Sequence, residues 1–288
     1  MPRDRTEVLT LAALCAFAAN SILCRLALGG GLIDAATFTV ARVGSGALAL
    51  IVLARLLGAA HPASGGSWPS AWLLFLYAVC FSFSYLSLSA ATGALILFAS
   101  VQITMIAWGL LAGERPTRHE WIGLVLAFGG LVGLVAPGLT APAPVPAASM
   151  ACAGVSWGFY SQRGRGVVDP VLATCGNFIR AVGPALLVSL MTLKSAHASG
   201  RGILLAVLSG AFASGMGYVA WYAALKRLSA MAAAIAQLCV PVLVVAAGVV
   251  LLSEPLTARL VITGLVILSG AAWARLGRRA NSPAEPRG

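Results

Sequence analysis

The chain has 288 residues, 60% of them hydrophobic and 9% charged, where soluble domains run at roughly 45–50% and about 25%. So few charges cannot clothe a water-soluble surface, so lipid is part of the solvent. The net charge of +11 does not point to nucleic acid, because almost all basic residues lie between or beyond apolar runs, the pattern of membrane topology.

A helix needs about 20 apolar residues to cross the hydrocarbon, and ten runs suggest such spans. After Arg3 and Arg5 the first, 8–28, lacks a small-residue cleavage site and reads as a retained span, not a signal peptide. It carries Asn20 in its middle and Arg25 near its end. The second, 36–57, holds Arg42. The third, 71–89, aligns Tyr77, Phe81, Ser84 or Tyr85, and Leu88 on one helical face. The fourth, 91–112, contains Val101 and Gln102, and Glu114-Arg-Pro-Thr117 leads into the fifth, 119–136. A charge-free segment rich in proline (Pro137, Pro142, Pro144, Pro146) reads as a stiff linker over 136–147. The sixth span, 147–162, carries Trp157 and Tyr160; the seventh, 171–193, carries Asn177 and Arg180. The eighth, 202–224, aligns Ser214, Tyr218 and Trp221 or Tyr222. The ninth, 229–252, contains Gln237 and Pro241, and Glu254-Pro-Leu-Thr257 opens the tenth, 257–275.

Charge placement tests this count. With the N-terminus in the cytoplasm and alternate crossings, thirteen basic residues fall on the cytoplasmic side: Arg3, Arg5, Arg55, Arg115, Arg118, Arg163, Arg165, Lys226, Arg227, Arg275, Arg278, Arg279 and Arg287. Only Lys194, Arg201 and Arg259 fall opposite, with Arg25, Arg42 and Arg180 inside spans. That split favours ten spans with both termini cytoplasmic in a plasma membrane. Landmarks also recur at a near-constant offset. Glu114 to Thr117 returns as Glu254 to Thr257, and Ser89-Ala90 as Ser229-Ala230, each 140 positions on; Arg42 returns as Arg180 after 138. The expected fold is therefore all-α and membrane-integral, with ten transmembrane helices as two five-helix repeats (5+5) over 1–140 and 141–288. An odd number of spans per repeat inverts the second copy, and inverted repeats are the architecture of alternating-access carriers.

The Glu-x-x-Thr connections after spans four and nine, the paired arginines of spans two and seven, and the 5+5 arrangement resemble the drug/metabolite transporter superfamily and, within it, the EamA family. The resemblance covers the whole chain, and within the family the YddG-like exporters resemble it most. It implies a bacterial inner-membrane exporter of amino acids, aromatic and hydrophobic ones included, or of other metabolites. The chain departs from the family pattern where span four carries Val101 beside Gln102 in place of the proline that span nine keeps as Pro241. Any proline hinge is thus confined to one half.

Polar groups at membrane depth are costly, about 2.5–3.5 kcal/mol for a central arginine, and need partners or a task. Arg42 and Arg180 either attract a substrate anion or cap backbone carbonyls and snorkel; Arg25 reads as a snorkelling anchor. Asn20, Gln102, Asn177 and Gln237 either bond a neighbouring helix or face a ligand. The stripes of Tyr77, Ser84 and Tyr85, of Tyr218 and Trp221, and the pair Trp157 and Tyr160 suit an aromatic-lined substrate cavity. Their bland alternative is an interfacial belt, the stronger reading for Trp68, Trp72, Trp121 and Trp273 near span ends. Gly210 with Ser214, and Gly129 with Gly133, have the spacing of close helix packing.

The eight acids lie in tails, connections or span ends, which disfavours proton-coupled export of cationic drugs. Glu114 and Glu254 read as caps of the following helix or partners of a nearby arginine. The six cysteines sit in apolar segments as small buried hydrophobes, and the three histidines in connections, without metal-ligand spacing. Neither a Walker motif nor a nucleophile–base pair is present, so no cofactor, metal or enzymatic chemistry is expected. A carrier of phosphate esters or nucleotide sugars, using Arg42 and Arg180, is the second reading, and a lipid-modifying membrane enzyme the third. The expected partners are a small-molecule substrate and the bilayer, with the chain a monomer or homodimer.

Overall fold

The computed structural model describes residues 3–88, 90–135, 143–252 and 258–280. These residues are helical almost throughout. Helix α1 (Arg3–Cys24) passes directly into a π-helical turn, Arg25–Gly29, and is followed by α2 (Ala35–Leu56), α3 (Trp68–Ser84), α4 (Ala90–Leu111) and α5 (Arg118–Val135). Then come α6 (Pro144–Gly164) and α7 (Pro170–Met191). Helix α8 (Gly200–Leu208) runs through a π-helical segment, Ser209–Met216, into α9 (Gly217–Leu225). Helices α10 (Ala230–Gln237) and α11 (Cys239–Leu252) form one broken rod, and α12 (Ala258–Ala280) follows.

Short polar residues start these helices by accepting the free backbone N–H groups of the first turn. Asp34 does so for α2, Ser67 for α3, Asp169 for α7, Ser199 for α8 and Ser229 for α10. Thr117 and Glu120 form a reciprocal capping pair at α5: Thr117 N–H donates to Glu120 Oε2 at 2.8 Å and Glu120 N–H to Thr117 Oγ1 at 3.2 Å. The rod α10–α11 breaks at Leu238 because Pro241 has no N–H for the carbonyl of Gln237, four residues back. Helix α4, with Val101 at the equivalent place, is unbroken.

Among the described residues, four helical stretches are long and apolar enough to cross a membrane: Arg5–Gly29, Ala35–Leu56, Pro170–Met191 and Gly200–Leu225. Shorter apolar helices cover Trp68–Ser84, Ile96–Leu111, Ala230–Val244 and Val261–Gly270. Large apolar side chains such as Leu48, Ile103, Leu187 and Phe212 face outward, as lipid-facing positions do. Trp68, Trp72 and Trp121 are exposed near helix ends, and Trp273 is exposed about two turns before the end of α12. The core is formed by α3 and α4 on α6, α2 on α7 and on the π segment, and α1 on α9 and α11, while α5 and α12 pack chiefly on each other.

Several expectations are corrected. The linker is shorter than 136–147: Pro144 starts α6 and Pro146 lies in its first turn, where a missing N–H is harmless; residues 136–142 lie outside the described residues. Of the pair Gly129 and Gly133, Gly133 lies close to Thr263 of α12, but a Cβ on Gly129 would meet nothing among the described residues; Gly130 makes the tighter approach, with Ile267 of α12 against it. Cys15 and Cys152 are exposed rather than buried, and His119 belongs to the first turn of α5 rather than to a connection. Ser89, Glu254 and Thr257, three of the expected repeat landmarks, lie outside the described residues.

Candidate functional site

Near the centre of the bundle, helices from both ends of the chain bring aromatic rings together. Trp157 of α6 is the hub. Its ring centroid lies 4.6 Å from Tyr218, 5.0 Å from Tyr77, 5.2 Å from Phe17 and 5.6 Å from Tyr160. These spacings are those of direct aromatic contact. Trp221 meets Phe17 edge-on at 5.6 Å, and the row extends along α3 from Tyr77 through Phe81 to Tyr85.

Polar ends of these side chains are satisfied one by one. Trp157 Nε1 donates to Gln237 Oε1 at 2.7 Å, and Gln237 Nε2 donates to Met105 Sδ at 3.1 Å. The chain break at Leu238 directly follows this glutamine, so the broken rod delivers a side chain to the hub. Trp221 Nε1 donates to Ser161 Oγ at 3.1 Å. Asn177 accepts from Ser67 N–H at 2.9 Å and reaches Tyr160 OH at 3.5 Å, tying the cluster to the start of α3.

Among the described residues Arg42 is the one cation in this centre, and it is buried. Its Nε donates to Ser214 Oγ at 2.9 Å, and its Nη2 to Tyr218 OH at 2.8 Å and Tyr77 OH at 3.5 Å. The guanidinium carbon lies 5.3 Å and 5.5 Å from the Tyr77 and Phe81 ring centroids, within cation–π range. Ser214 reaches it because the π segment lies against α2: a Cβ on Gly210 would collide with the Arg42 carbonyl and Ser45 Oγ. The Gly210–Ser214 spacing thus marks a close approach, as expected.

The structure separates residues that look alike in the sequence. Arg180 stands apart from the rings. Its Nη1 donates to the carbonyls of Gly65 and Gly176 at 2.8 and 2.9 Å and its Nη2 to that of Ala63 at 3.2 Å, so it fastens the α2–α3 connection to α7. Asn20 accepts from Ser209 Oγ at 2.6 Å, Gln102 Nε2 donates to the Ala234 carbonyl at 2.7 Å, and Ser84 Oγ to the Pro146 carbonyl at 3.1 Å. These three are bonds between helices. Glu114 pairs with an arginine, Arg165, at 2.9 Å, but it caps α10 through Ala230 N–H at 3.0 Å rather than the helix that follows it. Phe17 and Ser161 complete the cluster and were missed. Phe17 lies three residues before Asn20, one helical step on the same face, which is the signal that could have found it.

Known proteins match the chain along its length. The EamA-like transporter family matches residues 146–276. An uncharacterized protein of Pseudomonas aeruginosa is 47% identical over 99% of this chain and 100% of its own length. An uncharacterized transporter of Archaeoglobus fulgidus is 26% identical over 67% of this chain and 71% of its own. One crystal structure shares the fold with a TM-score of 0.80 at 20% identity, covering 99% of this chain and 100% of that one.

Proposed function

We propose that this chain, which belongs to the EamA-like transporter family, is a secondary carrier that exports small amphipathic metabolites across the bacterial inner membrane, amino acids with aromatic or hydrophobic side chains first among them. The observation that carries this reading is the aromatic cluster around Trp157, drawn from α1, α3, α6 and α9 and edged by amides. Apolar faces with a few fixed polar groups suit a small solute with one polar end.

Alternating access between 1–140 and 141–288 is the accompanying mechanism. Helix packing supports it, since most principal contacts have a counterpart when the two halves are exchanged. The pair α3–α6 corresponds to α1–α9, α4–α6 to α1–α11, and α3–α7 to α2 with the α8 segment, while α2–α7 and α5–α12 are their own counterparts. Connections also bond in a pattern consistent with alternate crossing. The α1–α2 connection meets the α7–α8 connection through Asp34 N–H to the His197 carbonyl at 2.9 Å. The α4–α5 connection meets the α6–α7 connection through Glu114 and Arg165. Each contact joins connections that alternate crossing puts on one side.

Export is tested by loading proteoliposomes with radiolabelled amino acids. Flux of aromatic or hydrophobic amino acids is expected, and flux confined to phosphorylated solutes would transfer the assignment to the anionic-metabolite reading. Trp157→Ala should lower flux about tenfold, the equivalent of about 1.4 kcal/mol in binding, and Asn177→Ala should raise the half-saturating concentration. If both variants transport as the parent does, the cluster is not the substrate site.

A further inference from the structure

Arg42 is a permanently charged group inside the bundle whose hydrogen-bond partners are all hydroxyls. Ser214, Tyr77 and Tyr218 accept from its Nε and Nη2, and its Nη1 is buried with no hydrogen-bond partner among the described residues. An unneutralised charge and an unbonded donor are both unfavourable away from water. Three acids among the described residues are engaged elsewhere. Asp34 bonds the backbone of Ala36, Thr37 and His197, Asp169 caps α7, and Glu114 pairs with Arg165. Arg180, its match in the expected repeat, has its Nη1 and Nη2 engaged with the carbonyls of Gly65 and Ala63 in the α2–α3 connection and of Gly176 in α7. Among the described residues, Arg42 alone combines burial, an open donor and contact with the aromatic cluster.

We infer that Arg42 anchors the substrate, and that the group it holds is a carboxylate on an aromatic or apolar body. This rests on the carrier reading above and narrows its substrate class. A carboxylate is an acceptor only, and an arginine fork is its natural complement. The three hydroxyls around the guanidinium accept from it, and each keeps an O–H that can turn toward the same anion. Beside them, Trp157, Tyr77 and Tyr218 offer ring faces for the body of the solute. The anchor also bridges the sequence halves, because Arg42 lies in α2 and Ser214 and Tyr218 follow α8. Neutralising its charge acts where both halves meet.

The carboxylate can belong to a zwitterion, an amino acid, or to a simple monoanion lacking the amine, and the test separates them. Binding to the purified full-length protein is measured by thermal shift with phenylalanine, 3-phenylpropanoate and phenethylamine. Counterflow in proteoliposomes is measured with the same three. One or both carboxylates should bind and move, and phenethylamine should do neither. A response to phenylalanine alone assigns a zwitterion; a response to 3-phenylpropanoate alone or to both assigns the carboxylate itself. Arg42→Met should weaken carboxylate binding about tenfold or more, and Arg42→Lys should recover part of it. Tyr218→Phe, which removes one hydroxyl and leaves the ring, should give a smaller loss and serves if Arg42→Met does not fold. Carboxylate binding unchanged in Arg42→Met or Tyr218→Phe, or phenethylamine binding as tightly as the acids, overturns the anchor while leaving the carrier reading intact. No binding and no flux with any of the three in the parent protein overturns both.

Discussion

Asp34 bonds three backbone groups at once. Its Oδ1 accepts from Ala36 and Thr37, and its Oδ2 from His197 at 2.9 Å on the α7–α8 connection. Partial burial pushes its carboxyl up, but the hydrogen bonds from Thr37, His197 and Ala36 outweigh this and hold it below the usual carboxylate range. A depressed carboxyl stabilises the fold above the unfolded value, about 3.9, and loses that contribution as pH falls through the folded value. Asp34→Ala should therefore lower stability by about 1 kcal/mol at neutral pH. The gap in thermal midpoint from the parent should close below about pH 4, as followed by thermal unfolding in detergent across that range. The capping role of Asp34 could be read from its place before an apolar run, but its bond to His197 could not, since 163 residues separate them. Arg42 and Arg180 teach the same lesson. Their matched positions made them equal candidates, and only tertiary neighbours distinguish a buried, hydroxyl-ringed guanidinium from one bound to carbonyls.

The helices themselves were legible because apolar run length and flanking Ser, Asp and Pro are local signals. Span two, read as 36–57, is α2 at Ala35–Leu56, and span seven, read as 171–193, is α7 at Pro170–Met191. Span nine, read as one run over 229–252, is broken at Leu238; Pro241 marked a hinge there but not the break itself. The π segment Ser209–Met216 was not legible. No composition marks it, and its bonding depends on what α2 presents to it; such turns often stand at functional sites. Gly210 is its contact point. Gly210→Val would force side-chain carbons onto the Arg42 carbonyl and Ser45, and should lower stability by about 1–3 kcal/mol. Thermal unfolding read beside carboxylate binding checks this. A variant as stable as the parent would mean that α2 and the π segment can separate freely.

Across the whole molecule, Glu114 joins three chain segments. Its carboxylate pairs with Arg165, at the end of α6, and receives Ala230 N–H at the start of α10. Its position between spans four and five and its pairing with an arginine were readable; its cap on a helix 116 residues away was not, because sequence shows a cap only to its own neighbours. Glu114→Gln removes the charge while keeping an acceptor. It should speed hydrogen exchange of the amides at the start of α10 roughly fivefold to tenfold, by loosening this end of the bundle. Exchange equal to the parent's would show that the cap holds without the charge.

The π segment has a further geometrical consequence. An extra residue in a helical turn is a stored phase shift: returned to α geometry, it would turn one flank against the other by about 100°. Ser209, at one flank, is clasped to Asn20 on α1, and Tyr218, just past the other, is clasped to Arg42 on α2. Both clasps hold together only while the extra residue stays in its turn. The spacing of residues between Ser209 and Tyr218, as much as their identity, keeps the rod geared to two neighbours at once.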